Sequence, residues 1–216
     1  MLLLAGMLVS GSCSSKNPSK PHAGTQMPRA AERDSCRTHL APKLGVVRLA
    51  ADTLVSLYSP QDTSKVGSLR GFIPDSMLEE LSKLRPFSMG ADAGSFGFVC
   101  LAVTEDHYLI RFNEETGEQV LVKRTPEWEY YSWEQYLTTE IFSVDARHSG
   151  QLLRAQPSDS AAAVDPAISP SSHYQAAAVQ GEWLEAVWES PEGEPRRGWL
   201  RWRYGDCLRV YVFSFA

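Results

Sequence analysis

From residue 46 onward, apolar positions come in short runs cut by turn residues. Residues 53–58 (TLVSLY) are β-branched and apolar with rough alternation, and Ser59-Pro60-Gln61-Asp62 breaks them. Residues 64–71 read as a second short strand closed by Gly71, and residues 96–103 as a third. Residues 107–112 and 118–123 flank Asn113-Glu-Glu-Thr-Gly117, which predicts a hairpin with glycine where the turn needs a positive φ. One segment has a helical period instead. Within 75–84, Met77, Leu78, Leu81 and Leu84 share a face, and Ser76 with Glu79 forms a capping box. A short helix is expected there, inserted between strands and plugging one end of a small barrel.

The second half repeats this scheme. Residues 152–160 (LLRAQPSDS) echo 57–64 (LYSPQDTS), Ala178-Val179 echoes Ala102-Val103, and 182–187 (EWLEAV) echoes 107–112 (HYLIRF). The turn 190–193 (SPEG) takes the place of 113–117, and 199–202 (WLRW) that of 120–123. The order of strand, Pro/Asp loop, strand, aromatic strand, Gly turn and strand is kept, which describes a duplicated unit. Between the copies, residues 126–137 read PEWEYYSWEQYL. A short capped helix is expected over 132–137, with Trp133, Tyr136 and Leu137 on its apolar face. So many aromatic rings favour packing against one or both units over a floppy tether.

The N-terminus has a different character. MLLLAGMLV is uncharged and apolar, and Ser10, Gly11, Ser12 and Cys13 follow. An apolar run ending in small residues is a secretion signal, to be set aside from fold reasoning. The residues before Cys13 resemble the lipobox of bacterial lipoproteins, in which the cysteine is acylated. Ser10 stands where that motif usually has Leu, and the lack of a basic residue before the apolar run suggests a start further upstream. The alternative is a cleaved, soluble exported protein with an ordinary Cys13. Residues 14–45 carry Ser, Pro, Lys, Asn and Gly with little periodicity, as a tether would. The resemblance implies a cell-envelope location, lipid-anchored at the outer membrane; related bacteria mark surface lipoproteins with an acidic cluster after the cysteine, and as none follows Cys13 the expected side is the periplasm. Secretion or surface exposure are the alternatives.

Residues 59–71 (SPQDTSKVGSLRG) resemble the opening of bacterial SH3-like (SH3b) domains, and Gly181-Glu-Trp-Leu-Glu-Ala-Val187, Gly193 and Gly198-Trp199-Leu200 resemble their second half. The likeness spans about residues 46–216 and extends to Bacteroidetes-type lipoproteins that carry an SH3-like pair. The first unit has Gln119-Val120 where the family has a Gly-Trp pair, and the second an Ala-rich stretch, Ala161 to Val164, expected as a loop where a strand should be. The resemblance implies an all-β chain of two tandem SH3-like barrels, with a helical insertion in the first and a helical linker between them. The implied division is a signal over 1–12, a tether over 13–45, units over 46–125 and 143–216, and a linker over 126–142. It also implies a non-catalytic, cofactor-free role, binding or scaffolding a peptide, an envelope protein or a peptidoglycan fragment. Trp183 and Trp199 match the family's core positions.

Composition narrows the function classes. The 216 residues are 43% hydrophobic and 22% charged, which is ordinary globular usage. A net charge of −5 leaves no basic excess to neutralise phosphates, so nucleic acid is not an expected partner. No run reaches the roughly 18 apolar residues of a membrane-spanning helix, so membrane contact would come from the N-terminal lipid alone. Five scattered histidines show no metal-ligand spacing. Of Cys13, Cys36, Cys100 and Cys207, lipidation of the first would leave at most one disulfide. Buried thiols at Cys100 and Cys207 are favoured over a bridge between them. A hydrolase using Cys100 and His107 is a remote rival, and an assembly lipoprotein with a permanent protein partner a nearer one.

Aromatic residues are the better lead. Trp188, Trp202 and Tyr204 alternate out of phase with Trp183 and Trp199, so some should face outward. Beside Arg196, Arg197, Arg201 and Arg203 they would suit an extended peptide or an acidic stem peptide. The competing expectation is that they pack on the Trp133 linker or on the first unit.

Overall fold

The structure is a computed structural model, and it describes residues 43–50, 53–70, 84–89, 95–147, 151–165, 174–190 and 193–214. The signal over 1–12, Cys13, the tether up to residue 42 and the helix expected over 75–84, apart from Leu84, lie outside the described residues. What is described is mostly β, arranged in antiparallel sheets, as the all-β reading expects.

The first sheet is built from β1 (Gly45–Leu49), β2 (Leu54–Tyr58), β3 (Lys65–Arg70), β4 (Ser88–Met89), β5 (Phe96–Val103), β6 (His107–Arg111), β7 (Gln119–Lys123) and β8 (Trp128–Ser132). Its order is β3-β2-β7-β6-β5-β1-β8, with β4 also pairing β5. The β6–β7 turn forms as expected. Gly117 has φ +75°, and the Asn113 side chain accepts the backbone N–H groups of Glu115 and Thr116.

β5 is apolar on both faces, and so is β1 apart from Arg48, which pairs with Glu129 and Glu140. On one side Val47, Leu49, Phe98 and Cys100 join the core of the first sheet. On the other, Val46 and Val99 join a second core shared with the rest of the chain.

The linker supplies that second core. Ser132 caps α1 (Trp133–Gln135), accepting the Gln135 N–H, while the Gln135 side chain accepts the Ser132 N–H. A π-helical turn (Tyr136–Glu140) follows. Trp133, Tyr136 and Leu137 are all buried, each gaining about 1.5–3 kcal/mol relative to exposure. The helix expected over 132–137 is therefore present, and its apolar face is the one foreseen. The segment is more than a linker, however, because it also gives β8 to the first sheet and β9 (Ile141–Ala146) to a later pair.

The second sheet contains β10 (Leu153–Arg154), β11 (Ala163–Asp165), β12 (Gln175–Gln180), β13 (Trp183–Glu189) and β14 (Pro195–Arg201), in the order β11-β10-β14-β13-β12. The Ala-rich stretch is corrected here: its second half is strand β11, paired with β10. Two small ribbons complete the fold, β15 (Arg203–Tyr204) with β16 (Cys207–Leu208), and β17 (Val210–Ser214) with β9. Among the described residues neither large sheet closes on itself: β3 and β8 end the first, β11 and β12 the second.

Candidate binding face

Alternation along β13 and β14 sorts their side chains. Leu184, Ala186 and Leu200 are fully buried, so even-numbered positions face the core. Odd-numbered positions face outward and meet across the strands as Trp183 with Arg201, Glu185 with Trp199, and Val187 with Arg197. The outer face thus carries two half-buried tryptophans between arginines and a glutamate.

This reverses the expected phase. Trp202 does not face outward: it is 1% exposed, donates its indole N–H to the Gly181 carbonyl and packs at a tilt against Trp133. Trp188 also turns inward, packing edge-on against Tyr174 at 5.7 Å. The competing expectation, packing on the linker, describes Trp202 correctly. Trp183 and Trp199, expected in the core, are the outward pair. Period 2 fixes which residues share a face but not which face is buried. The charges carry the missing sign. Glu185, Arg197, Arg201 and Arg203 alternate with Leu184, Ala186, Leu200 and Trp202, so the charged phase, with Trp183 and Trp199 in it, is the solvent phase.

Arg201, Arg203 and Tyr204 are brought together, but Arg201 is already engaged. Its guanidinium reaches Asp159 at 2.9 Å and Glu182 at 2.5 Å, and lies over the rings of Tyr204 and Trp183 at 4.6 and 5.6 Å. Gln151 donates to the Arg201 carbonyl. Burial pushes the Glu182 carboxyl up, but hydrogen bonds from Arg201 and the Gly205 N–H, with the charges of Arg201 and Arg203, outweigh it and hold it below the usual range. Arg203 lies over the Trp202 ring at 5.0 Å. These groups build a charge-neutralised corner that braces the β15–β16 ribbon against β13. Arg197 differs: its side chain is 72% exposed and meets Glu185 only at 3.4 Å. It stands two residues from Trp199 on the same face.

The thiol chemistry weighed from sequence is not assembled. Cys100 is fully buried on the core face of β5, and burial pushes its thiol up to about 11. Its cross-strand neighbour is Ile110, whereas His107 pairs with Lys123 and packs edge-on against Tyr58. Because Tyr108 and Ile110 point into the core, His107 lies on the opposite face of the sheet from Cys100. A Cys100–Cys207 bridge is not formed either. Cys100 is a free thiol, while Cys207 is disulfide-bonded. No group of three metal-ligating side chains occurs among the described residues. Comparison with protein-family models, with curated proteins and with solved structures finds no match to this chain.

Proposed function

We propose that the chain is a non-catalytic binding module of the bacterial cell envelope, built on two SH3-like units, that holds an extended acidic segment across the outer face of β13 and β14. Peptidoglycan stem peptides have that chemistry. The observation that carries the reading is Trp199 beside Arg197. A half-buried ring offers an apolar platform to an extended backbone, and a guanidinium that is 72% exposed is available for a bidentate bond to a carboxylate. The bond from Arg197 to Glu185 is long and solvent-screened, so a ligand carboxylate displaces it at little cost. Arg201, held by two carboxylates of its own chain, braces the platform and does not contact the ligand. Recognition of a preformed extended peptide on an aromatic surface is the mode SH3 domains use. The envelope location rests on the apolar run before Ser10-Gly11-Ser12-Cys13 and on acylation of Cys13.

The test is co-sedimentation of the full chain with purified peptidoglycan, wild type against an Arg197→Glu/Trp199→Ala variant, with thermal unfolding of both. The wild type is expected to sediment, and the variant to lose at least about tenfold in affinity with its cooperative unfolding preserved. Equal binding by the two proteins overturns the assignment of the face. Absence of wild-type binding, with one envelope protein retained stoichiometrically, favours the assembly lipoprotein instead.

A further inference from the structure

The outer face of the second sheet carries a further cation with no carboxylate of its own. Arg154 in β10 stands directly opposite Trp199 of β14, so its side chain rises on the same face as Trp199 and Arg197. Its neighbour Leu153 takes the other phase and is buried. Arg154 is half-buried and donates one guanidinium N–H to the Ala161 carbonyl at 2.8 Å. Among the described residues it forms no ion pair. Across from it on β11 is Ala163, small and exposed.

The neighbouring arginines are placed differently. Arg201 is held by Asp159 and Glu182, Arg203 lies over Trp202, and Arg196 is in the opposite phase of β14. Arg197, with its long bond to Glu185, and Arg154 are left beside the Trp199 ring. A charge withdrawn from water is ordinarily paired. Arg154 instead meets a neutral carbonyl and keeps its other donors for a ligand.

We propose that Arg154 is a second carboxylate anchor of this face, and that the segment held there carries two acidic side chains at alternate positions. The inference rests on the peptide-binding reading and adds its selectivity. Arg154 and Arg197 are diagonal cross-strand neighbours, so their side chains start about 7–8 Å apart. In an extended peptide, residues i and i+2 point the same way and lie about 6.6 Å apart. Acids at that spacing reach both guanidiniums while the backbone crosses Trp199. Acids at adjacent positions point to opposite sides, and one of them is lost to solvent. Glu185 flanks Trp199 from β13, on the side away from Arg154, and repels a carboxylate placed there. The loop over 155–162 steadies the arrangement, since its Ala161 carbonyl holds Arg154 and its Asp159 holds Arg201. Arg154 is thus oriented before the ligand arrives, and each anchor can form a bidentate bond.

The test is fluorescence anisotropy of the full chain with three end-capped, labelled pentapeptides: Thr-Glu-Thr-Glu-Thr, Thr-Glu-Glu-Thr-Thr and Thr-Glu-Thr-Thr-Thr. The first two have equal charge and differ in spacing. The wild type is expected to prefer the alternating diacid over both others by at least about fivefold. Arg154→Gln should abolish that preference, with cooperative unfolding retained. Arg124→Gln removes the same charge from the first sheet, where Arg124 lies over Tyr108, and should keep the preference. Arg154→Lys keeps the charge without the planar fork and should fall between the two, which a role limited to bracing Ala161 does not predict. A preference that survives Arg154→Gln, or wild-type binding with no preference, overturns the anchor and leaves the peptide-binding reading standing. Failure of the wild type to bind any of the three peptides overturns both.

Discussion

The indole of Trp202 lies 5.5 Å from that of Trp133, tilted by 35°, and neither ring is more than 5% exposed. One ring comes from the residue that follows β14 and the other from the helix that follows the first sheet. Phe87 and Tyr136 pack edge-on against Trp133 at 5.3 and 5.9 Å, so the contact is one link in a continuous aromatic seam. Replacing either tryptophan by alanine opens a large cavity in a core to which both sheets contribute. Each single change is expected to cost about 3–5 kcal/mol in urea denaturation. The double mutant should cost less than the sum, by about 0.5–1.5 kcal/mol for the ring pair. Full additivity would show that the rings act independently. A binding defect in Trp202→Ala alone is therefore uninformative about ligand contact, because the change damages the fold first.

Much of this seam was legible in the sequence. Ser132 three residues before Gln135 announces the cap, and the spacing of Trp133, Tyr136 and Leu137 gives the buried face. The strands over 54–58, 65–70, 96–103 and 107–111 follow equally from their alternation and from the turn residues that end them. Strands β8 and β9 were not legible. Their sequences, WEYYS and IFSVDA, are short, and what makes them strands is pairing with β1 and β17, which are far away in sequence. The candidate face was legible only up to a sign. Trp183 and Trp188 had to lie on opposite sides of β13, but the family likeness pointed the wrong one inward, while the alternating charges pointed the right one.

The Glu182 and Glu114 carboxyls should pull acid stability in opposite directions. Glu182 is held low in the folded state, so its contribution is present above its unfolded value and is lost as pH falls through the folded one. Glu114 is held high by burial, which outweighs its bond to Arg111 and the charges of Arg111 and Arg147. Its contribution is therefore complete below the unfolded value and is lost as pH rises through the folded one. Glu182→Gln is expected to cost about 1 kcal/mol near neutral pH and to flatten the decline in stability below about pH 4.5. Glu114→Gln should leave that decline in place. Urea titrations at a series of pH values separate the two, and an unchanged acid slope in Glu182→Gln would remove Glu182 from the account.

Gly45 is required where β1 pairs with the end of β8, opposite Ser132. A side-chain carbon there would sit 2.0 Å from the Tyr131 carbonyl oxygen and 3.1 Å from the Ser132 Cα, both backbone atoms that cannot swing away. Gly45→Ala should therefore cost about 3 kcal/mol and loosen the pairing of β8 with β1. Hydrogen exchange is the sensitive probe. Faster exchange of the amides of β1 and β8, with those of β13 and β14 unchanged, is the expected pattern. A stability within about 0.5 kcal/mol of wild type would show that the backbone relaxes there at little cost.

Cys100 makes the sharpest chemical forecast. A nucleophilic cysteine needs its thiolate, and thus an electropositive, accessible setting. Cys100 has the reverse: it is fully buried, with Ile110 as its cross-strand neighbour and Phe98 on the same face of β5. With its thiol pushed up to about 11, only about one molecule in a thousand carries the thiolate near pH 8. Alkylation of the native chain by iodoacetamide near that pH should leave Cys100 unmodified for hours, whereas the denatured chain should react completely within minutes. Because the side chain packs as a small hydrophobe, Cys100→Ala should keep the fold at a cost of about 1–2 kcal/mol. Rapid labelling of the native protein would mean that β5 opens to solvent far more readily than its burial in the core implies.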